Sequence, residues 1–371
     1  MELCQMGFKF RIYPNKMQER LINRTLGCCR FVYNHFLALR RDEWTANRKT
    51  LGYVQTSALL TDLKRYEEYL WLNEADSMAL QEALRKLDTA YQNFFQKRAR
   101  YPRFKSKHNY LQSYRTRNQK DCIRIVDGKI HLPKVGAVKT KLSRTFEGRI
   151  LNATVSRSAS GKYFVSLCVE LDNESLPQPN SGGKIGLDVG LSQFLTDSNG
   201  NTVDNPRVLK RLMRKLVREQ RRLSRKMPRS VNRSKARIRV ARVHERIANI
   251  RKDFLHKLST RLTDENQVIA VESLSVKNMM RNHRLAQAIA DVSWSKFFRI
   301  LEYKADLRGG KVLKVDPFYP SSQICSHCGY QNTELKNLKI REWTCPECGS
   351  HHDRDTNAAK NILRKALENV A

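Results

Sequence analysis

Acidic residues are scarce in this sequence: 36 Asp and Glu stand against 70 Lys and Arg in 371 residues, a formal net charge of +34. That imbalance excludes an ordinary metabolic enzyme as the default, because so positive a surface repels itself until a polyanion neutralises it. Displacing counterions from a phosphate backbone is the commonest way such charge yields binding free energy, so nucleic acid is the first expected partner. Long apolar runs are missing too. No stretch approaches the ~18 residues of a spanning helix, so no membrane is expected as a partner. The N-terminus has no signal-peptide h-region, and the expectation is an intracellular chain. The nine cysteines are an odd number without a secretory signal, which argues against a disulfide framework and for thiols kept reduced. The length suggests two or three domains.

What is present changes character along the chain. Phe8, Phe10 and Ile12 alternate with Lys9 and Arg11, which predicts a strand that Pro14 ends. Asn15 with Gln18 has the form of a capping box, and helical pattern then continues to about residue 100, with Leu80, Leu84, Leu87, Tyr91 and Phe94 as an apolar stripe. At Tyr101-Pro102-Arg103-Phe104-Lys105 the period drops to two. Strands are predicted over 122–125, 129–132, 150–157 and 162–171, with Asp127-Gly128 and Gly161-Lys162 as turns, and with the opening strand they make a small β-barrel. Residues 177–183 have linker chemistry. Beyond them come strands at 184–190, 193–196 and 202–203, then a helical hairpin over 207–262. Between Arg207 and Arg261 it carries 21 Lys and Arg against three acids, more than half of the chain's excess charge. Val240, Val243, Ile247, Ile250 and Phe254 form a heptad-like seam between its arms. Same-sign neighbours four apart destabilise a helix unless an anion lies against it, so this is a nucleic-acid face rather than a solvated one, with Arg211, Arg214, Arg218, Arg221 and Arg222 as contacts.

Three isolated acids stand beside residues that should be buried. Asp188 ends one apolar strand, Glu272 ends another over 268–271, and Asp355 opens the last helix, with Ala359, Ile362 and Ala366 on its face. Singly, each reads equally well as a helix cap or a strand-end acid in solvent. Together, in the order first strand, fourth strand, late helix, they have the layout of the RuvC type of RNase H-like fold, in which two Mg²⁺ ions serve phosphodiester hydrolysis. Between the fifth strand (311–315) and that helix lie Cys325-x2-Cys328 and Cys345-x2-Cys348, 16 residues apart. They predict one structural Zn²⁺ closed by four thiolates, with His327, His351 and His352 outside the ligand set.

Arg11-Ile-Tyr13-Pro14-Asn15, Gly27 with Arg30-Phe-Val-Tyr33-Asn34, Pro102-Arg-Phe104-Lys105, Gly186-Leu-Asp188-Val-Gly190, Pro317-Phe-Tyr-Pro-Ser-Ser322-Gln323 and Asp353-Arg-Asp355-Thr-Asn357-Ala-Ala359 together closely resemble the TnpB family. These are transposon-encoded RNA-guided endonucleases, relatives of type V CRISPR effectors. The resemblance runs from about residue 7 to 367 and implies an α/β multidomain chain. A wedge-type β-barrel would occupy residues 1–14 and 101–180, and a helical recognition lobe 15–100. A RuvC-like nuclease domain would occupy 184–318 and 353–371, interrupted by a zinc ribbon at 319–352. It further implies a catalytic trio of Asp188, Glu272 and Asp355, with Asp353 the competitor for the third place; guide RNA and target double-stranded DNA as partners; and a short target-adjacent motif read by residues such as Tyr53 and Gln81. It points to a bacterial or archaeal cytoplasm, near the nucleoid, and a monomer in preference to an oligomer. The chain ends 16 residues after Asp355, so a C-terminal tail is expected to be short or absent.

Two other readings compete. A guide-independent transposase of the DDE kind needs acids in the order Asp, Asp, Glu, whereas here the order is Asp, Glu, Asp, and none of the nine histidines forms the His-hydrophobic-His pair of a relaxase-like enzyme. An RNA-guided repressor that binds without cutting is expected to have lost one or more of the acids, and all three are present.

Overall fold

The computed structural model describes residues 4–109, 111–171, 182–337 and 339–369. The chain divides into two compact units, Met1–Ser175 and Leu176–Ala371. The linker expected at 177–183 lies, up to residue 181, outside the described residues.

In the first unit β1 (Cys4–Tyr13) buries Phe8, Phe10 and Ile12, the alternation that the pleat requires. Asn15 caps α1 (Lys16–Asn47) in a true capping box: its side chain accepts from the Gln18 N–H at 2.9 Å, and its own N–H donates to Gln18 Oε1 at 3.0 Å. After α2 (Tyr53–Leu63) and a 3-10 turn (Glu67–Glu74), α3 (Ser77–Phe95) buries Leu80, Leu84, Leu87 and Tyr91 along one stripe. The strands that follow are β2 (Gln112–Arg117), β3 (Arg124–Val126), β4 (Lys129–Leu132), β5 (Gly136–Lys141), β6 (Arg149–Arg157) and β7 (Tyr163–Leu171). Asp127 and Gly128 both have positive φ, as a two-residue hairpin turn between β3 and β4 demands. All pairings are antiparallel, in the order β2-β6-β7-β1-β5-β4-β3. The opening strand therefore sits inside the sheet, and β2 and β3 end the ladder without pairing to each other among the described residues. Two strands, β2 and β5, have no counterpart in the sequence pattern. Each buries only two side chains, Tyr114 and Thr116 in one and Val138 and Thr140 in the other, so their alternation is too short to register.

The second unit begins with β8 (Gly183–Val189), β9 (Gln193–Asp197) and β10 (Thr202–Asp204), then α4 (Val208–Ser224) and α5 (Val231–Glu265). Then come β11 (Asn266–Glu272), α6 (Val276–Met279), α7 (Ala286–Val292), α8 (Trp294–Leu307), β12 (Lys311–Val315), β13 (Glu342–Thr344), β14 (His351–Asp353) and α9 (Arg354–Glu368). Its five-stranded sheet has the order β10-β9-β8-β11-β12; β8, β11 and β12 are parallel, and β9 and β10 antiparallel. One face packs Ile185, Leu187, Ile269 and Val271 against Leu255, Leu258 and Leu262 of α5 and Phe297 and Leu301 of α8. The other face takes α9, whose Ile362 and Ala366 meet Ala270 and Val315. The α4–α5 hairpin is joined by Val208, Leu216, Val243 and Ile247, with Val240 and Ile250 beside them; of the seam read from the heptad spacing, Phe254 instead packs into the sheet core, its ring 4.9 Å from that of Phe194. No helix of the described residues is long and apolar enough to cross a membrane.

Gly186 sets how closely α9 approaches. A Cβ there would lie 2.0 Å from the Ala359 carbonyl oxygen and 2.9 Å from Leu363 Cβ, and a backbone oxygen cannot step aside alone. Gly186→Ala is expected to push α9 off the sheet and cost about 1–3 kcal/mol, read as a lowered melting temperature beside an unchanged Gly7→Ala control, where a Cβ meets nothing.

Candidate active site and metal centre

Leu187 pairs with Val271 across the parallel ladder, and one step further along stand Asp188 and Glu272. Side chains alternate between faces, so Gly186 and Asp188 on β8, like Ala270 and Glu272 on β11, point to the side that α9 covers. On α9 the inward stripe Asp355, Ala359, Ile362, Ala366 follows helical spacing, which puts Asp355 in the first turn, over the ends of those strands. The charges feel one another. Burial, first, and then the carboxylates of Glu272 and Asp355 push the Asp188 carboxyl up to about 8, while Arg354 and Arg341 pull it down. Asp353, the competitor for the third position, acts elsewhere. It is the exposed N-cap of α9, accepting the Thr356 N–H at 2.8 Å, and it is not among the groups that shift Asp188.

Neighbours hold the other two acids. The Ser321 hydroxyl donates to Glu272 Oε1 at 2.6 Å, and Arg341 Nη1 reaches both Asp355 oxygens at 3.1 and 3.2 Å. The three carboxylates do not draw together to the ligand spacing of a single ion; among the described residues only the four cysteines do. Sequence reasoning missed Ser321 and Arg341, although Ser321 falls inside the Pro317–Gln323 motif.

Cys325, Cys328, Cys345 and Cys348 bring their sulfurs within 4.8 Å of one another. The Cys325–Cys348 and Cys328–Cys345 separations are 3.7 and 3.6 Å, close to the ~3.8 Å edge of a tetrahedron with metal–sulfur bonds of about 2.3 Å. Each knuckle turns on a positive-φ glycine, Gly329 and Gly349, whose N–H donates to the carbonyl of the first cysteine of its pair. His352 is not in the cluster but approaches it, its Nε2 3.0 Å from Cys325 Sγ and its ring 5.0 Å from that of Trp343. The ribbon is rooted in α9 by two buried asparagines. Asn357 accepts from the Ser326 N–H and donates to the Ile324 carbonyl, and Asn361 donates to the carbonyls of Ser321 and Ile324. Buried Arg354 adds bonds to the Asn337 and Ile340 carbonyls. Two polar residues on an otherwise apolar stripe were the available signal.

Arg211, Arg214, Arg218, Arg221 and Arg222 are all exposed on α4, and four of them line a groove with Met213, Val217 and Arg225. Buried Glu219 partly neutralises two, with Arg222 at 3.0 Å and Arg218 at 3.9 Å. In the first unit Tyr53 opens α2 and is half-buried, the Arg85 guanidinium 4.0 Å from its ring centre, and Gln81 is half-buried on α3. Neither is the freely exposed side chain that a helix surface suggests.

The raised Asp188 carboxyl carries a stability consequence. The folded state keeps a proton that the unfolded chain, with an ordinary carboxyl near 3.8, gives up, so this stability is full below about pH 4 and is lost as pH rises to about 8. In magnesium-free buffer Asp188→Asn is therefore expected to gain melting temperature over the unaltered protein progressively between pH 4 and 8, reaching a few degrees; equal melting curves at pH 8 would contradict the site's electrostatics.

Comparison with known proteins gives concordant matches. Residues 166–283 match the OrfB_IS605 family model, described as "Probable transposase", and residues 294–362 match the model of the "Cas12f1-like, TNB domain". Residues 1–49 match a model described as a helix-turn-helix domain, although the described part of that span holds a strand, Cys4–Tyr13, and one uninterrupted helix, Lys16–Asn47. A Streptomyces pristinaespiralis protein named "Putative RNA-guided DNA endonuclease" is 42% identical over 370 residues, 99% of this chain and 90% of that protein. The Escherichia coli K12 protein "Putative RNA-guided DNA endonuclease InsQ" is 36% identical over 380 residues, 96% and 91% of the two chains. Among solved structures, a chain in the cryo-EM structure of the Cas12f1-sgRNA-target DNA complex superposes with a TM-score of 0.59 over 97% of this chain and 99% of that one; at 12% identity the likeness is one of fold.

Proposed function

Because this chain belongs to the OrfB_IS605 (TnpB-like) family, we propose that it is an RNA-guided DNA endonuclease that hydrolyses target phosphodiesters at a RuvC-type site made of Asp188, Glu272 and Asp355. The observation that carries the reading is geometric: one step past the Leu187–Val271 pair of the parallel ladder stand Asp188 and Glu272, with Asp355 in the first turn of the helix that covers them. The hard oxygen donors suit Mg²⁺ in kind, though they stand further apart than the ligands of one ion, and the four-thiolate ribbon fits one Zn²⁺. Two bound Mg²⁺ would activate a water and stabilise the leaving oxygen of the cut strand. The chain's own residues prepare that chemistry: α9 holds Asp355 over the strand ends, Ser321 orients Glu272, and Arg341 screens Asp355.

The remaining assignments follow the same reading. The seven-stranded sheet is a wedge-type barrel (1–14, 101–180), and residues 15–100 form a recognition lobe whose Tyr53 and Gln81 face the target-adjacent motif. Residues 184–318 and 353–371 form the nuclease domain, and 319–352 the ribbon. Guide RNA and target duplex lie along the basic hairpin. Base pairing supplies sequence specificity and the protein supplies shape, charge and motif readout. A monomer acting at the nucleoid of a bacterial or archaeal cytoplasm suffices.

Purified with its co-bound RNA and given Mg²⁺ and a duplex matching that RNA, the protein is expected to cut, and Asp188→Ala, Glu272→Gln and Asp355→Ala each to lose about 10³-fold or more in rate while still binding the duplex. Cleavage at parental rate by any of the three would remove that residue from the site. Metal analysis is expected to find one zinc per chain, lost together with several degrees of melting temperature in Cys345→Ser.

A further inference from the structure

Two of the sequence motifs, Arg30-Phe-Val-Tyr33-Asn34 and Pro102-Arg-Phe104-Lys105, take no part in the nuclease site. In the first unit they meet. The Asn34 side chain grips the backbone of Lys105 at two points, accepting its N–H at 2.7 Å and donating to its carbonyl at 2.9 Å. The Lys105 ammonium then stands 3.6 Å from the centre of the Tyr33 ring. Beside it opens a cavity of about 270 Å³, lined by four cations, Arg30, Lys86, Lys105 and Arg115, and by no carboxylate among the described residues. At ~30 Å³ per water, that is space for roughly nine waters. Arg115 has a partner in Glu82, an acid shared with Arg117 and Arg85. Among the described residues neither Lys86 nor Lys105 forms a salt bridge, though Glu82 acts on Lys86 electrostatically. Burial, and then Lys86, push Lys105 down to about 8, and burial lowers Lys86 as well. Two partly desolvated ammoniums lining one cavity, with the nearest acid already shared among three arginines, gain from an anion between them.

We propose that these two motifs build a receptor for one backbone phosphate of nucleic acid, with Lys86 and Lys105 as its two charged donors. A phosphodiester offers the two anionic oxygens that a pair of point-charge donors matches; the clamp from Asn34 fixes the Lys105 backbone and the Tyr33 ring lies against its ammonium, so part of the ordering is in place before binding. The receptor rests on the nucleic-acid-binding part of the proposed function and not on cleavage. Its ligand comes from either the guide strand or the target duplex.

Binding of a 30-base-pair DNA duplex and of a 30-nucleotide single-stranded RNA is measured from 50 to 300 mM salt in magnesium-free buffer. The unaltered chain is compared with Lys86→Met/Lys105→Met and with Lys129→Met, an exposed lysine outside the cavity. The double variant is expected to lose about tenfold in affinity at the lowest salt, and its log–log salt slope to be shallower by about 1, for whichever nucleic acid seats there, while Lys129→Met changes both far less. A change confined to the duplex assigns the phosphate to target DNA, one confined to RNA assigns it to the guide, and a change in both means that the receptor accepts either. In the unaltered chain, acylation of Lys86 and Lys105 at pH 8 is expected to slow severalfold when the favoured probe is bound, a readout that does not depend on the variant folding. Unchanged slopes for both probes, or equal acylation with and without probe, overturn the receptor while leaving the endonuclease standing. Failure of the unaltered chain to bind either probe overturns both.

Discussion

Repulsion is the constraint around which the second unit is organised. Three carboxylates that would separate in water are held within reach of one another because a helix lies on bare backbone: α9 can approach β8 only where Gly186 has no side chain, and that approach brings Asp355 over Asp188 and Glu272. The remaining contacts serve this one. Ile362 and Ala366 anchor α9 against Ala270 and Val315, and Asn357 and Asn361 bind its polar side to the start of the ribbon.

The two clusters differ in donor type and are joined by one helix. Sulfur donors gather in the ribbon, and carboxylates stand at the strand ends. Arg354, between the capping Asp353 and the inward Asp355, turns away from both and secures the ribbon backbone, and Arg341 of the ribbon returns to Asp355. Consecutive residues of one short segment therefore serve a helix cap, a structural tether and the acidic cluster.

Much of this was legible in residue order because the informative signals are local. The capping box at Asn15, the type of turn at Asp127-Gly128, the seam of the basic hairpin and the paired cysteine knuckles each rest on a spacing within a few residues, and each has its counterpart in the fold. The position of the opening strand inside its sheet was not legible, since pairing partners lie more than a hundred residues away: Phe10 opposite Val165, Arg11 opposite Lys141. Strands β2 and β5 were silent because charged and small side chains fill their outer faces. The burial of Tyr53 beneath Arg85 was equally hidden, because the guanidinium belongs to a different helix. The family pattern favours Asp355, two residues before Asn357, over Asp353, and the fold adds that Asp353 is occupied in capping α9.

The length of α5 has its own consequence. Thirty-five residues at 1.5 Å each make a rod of about 52 Å, the contour of about 15 base pairs. Its last third, around Leu255, Leu258 and Leu262, is embedded beneath the sheet; the rest packs on α4, with Arg251 tied to Asp291 of α7 at 2.6 Å. The hairpin is therefore a cantilever, and bending stiffness rather than a glove of contacts determines how far its arginines stand from the acids. On the function proposed, a polyanion laid along it would be gauged as well as held.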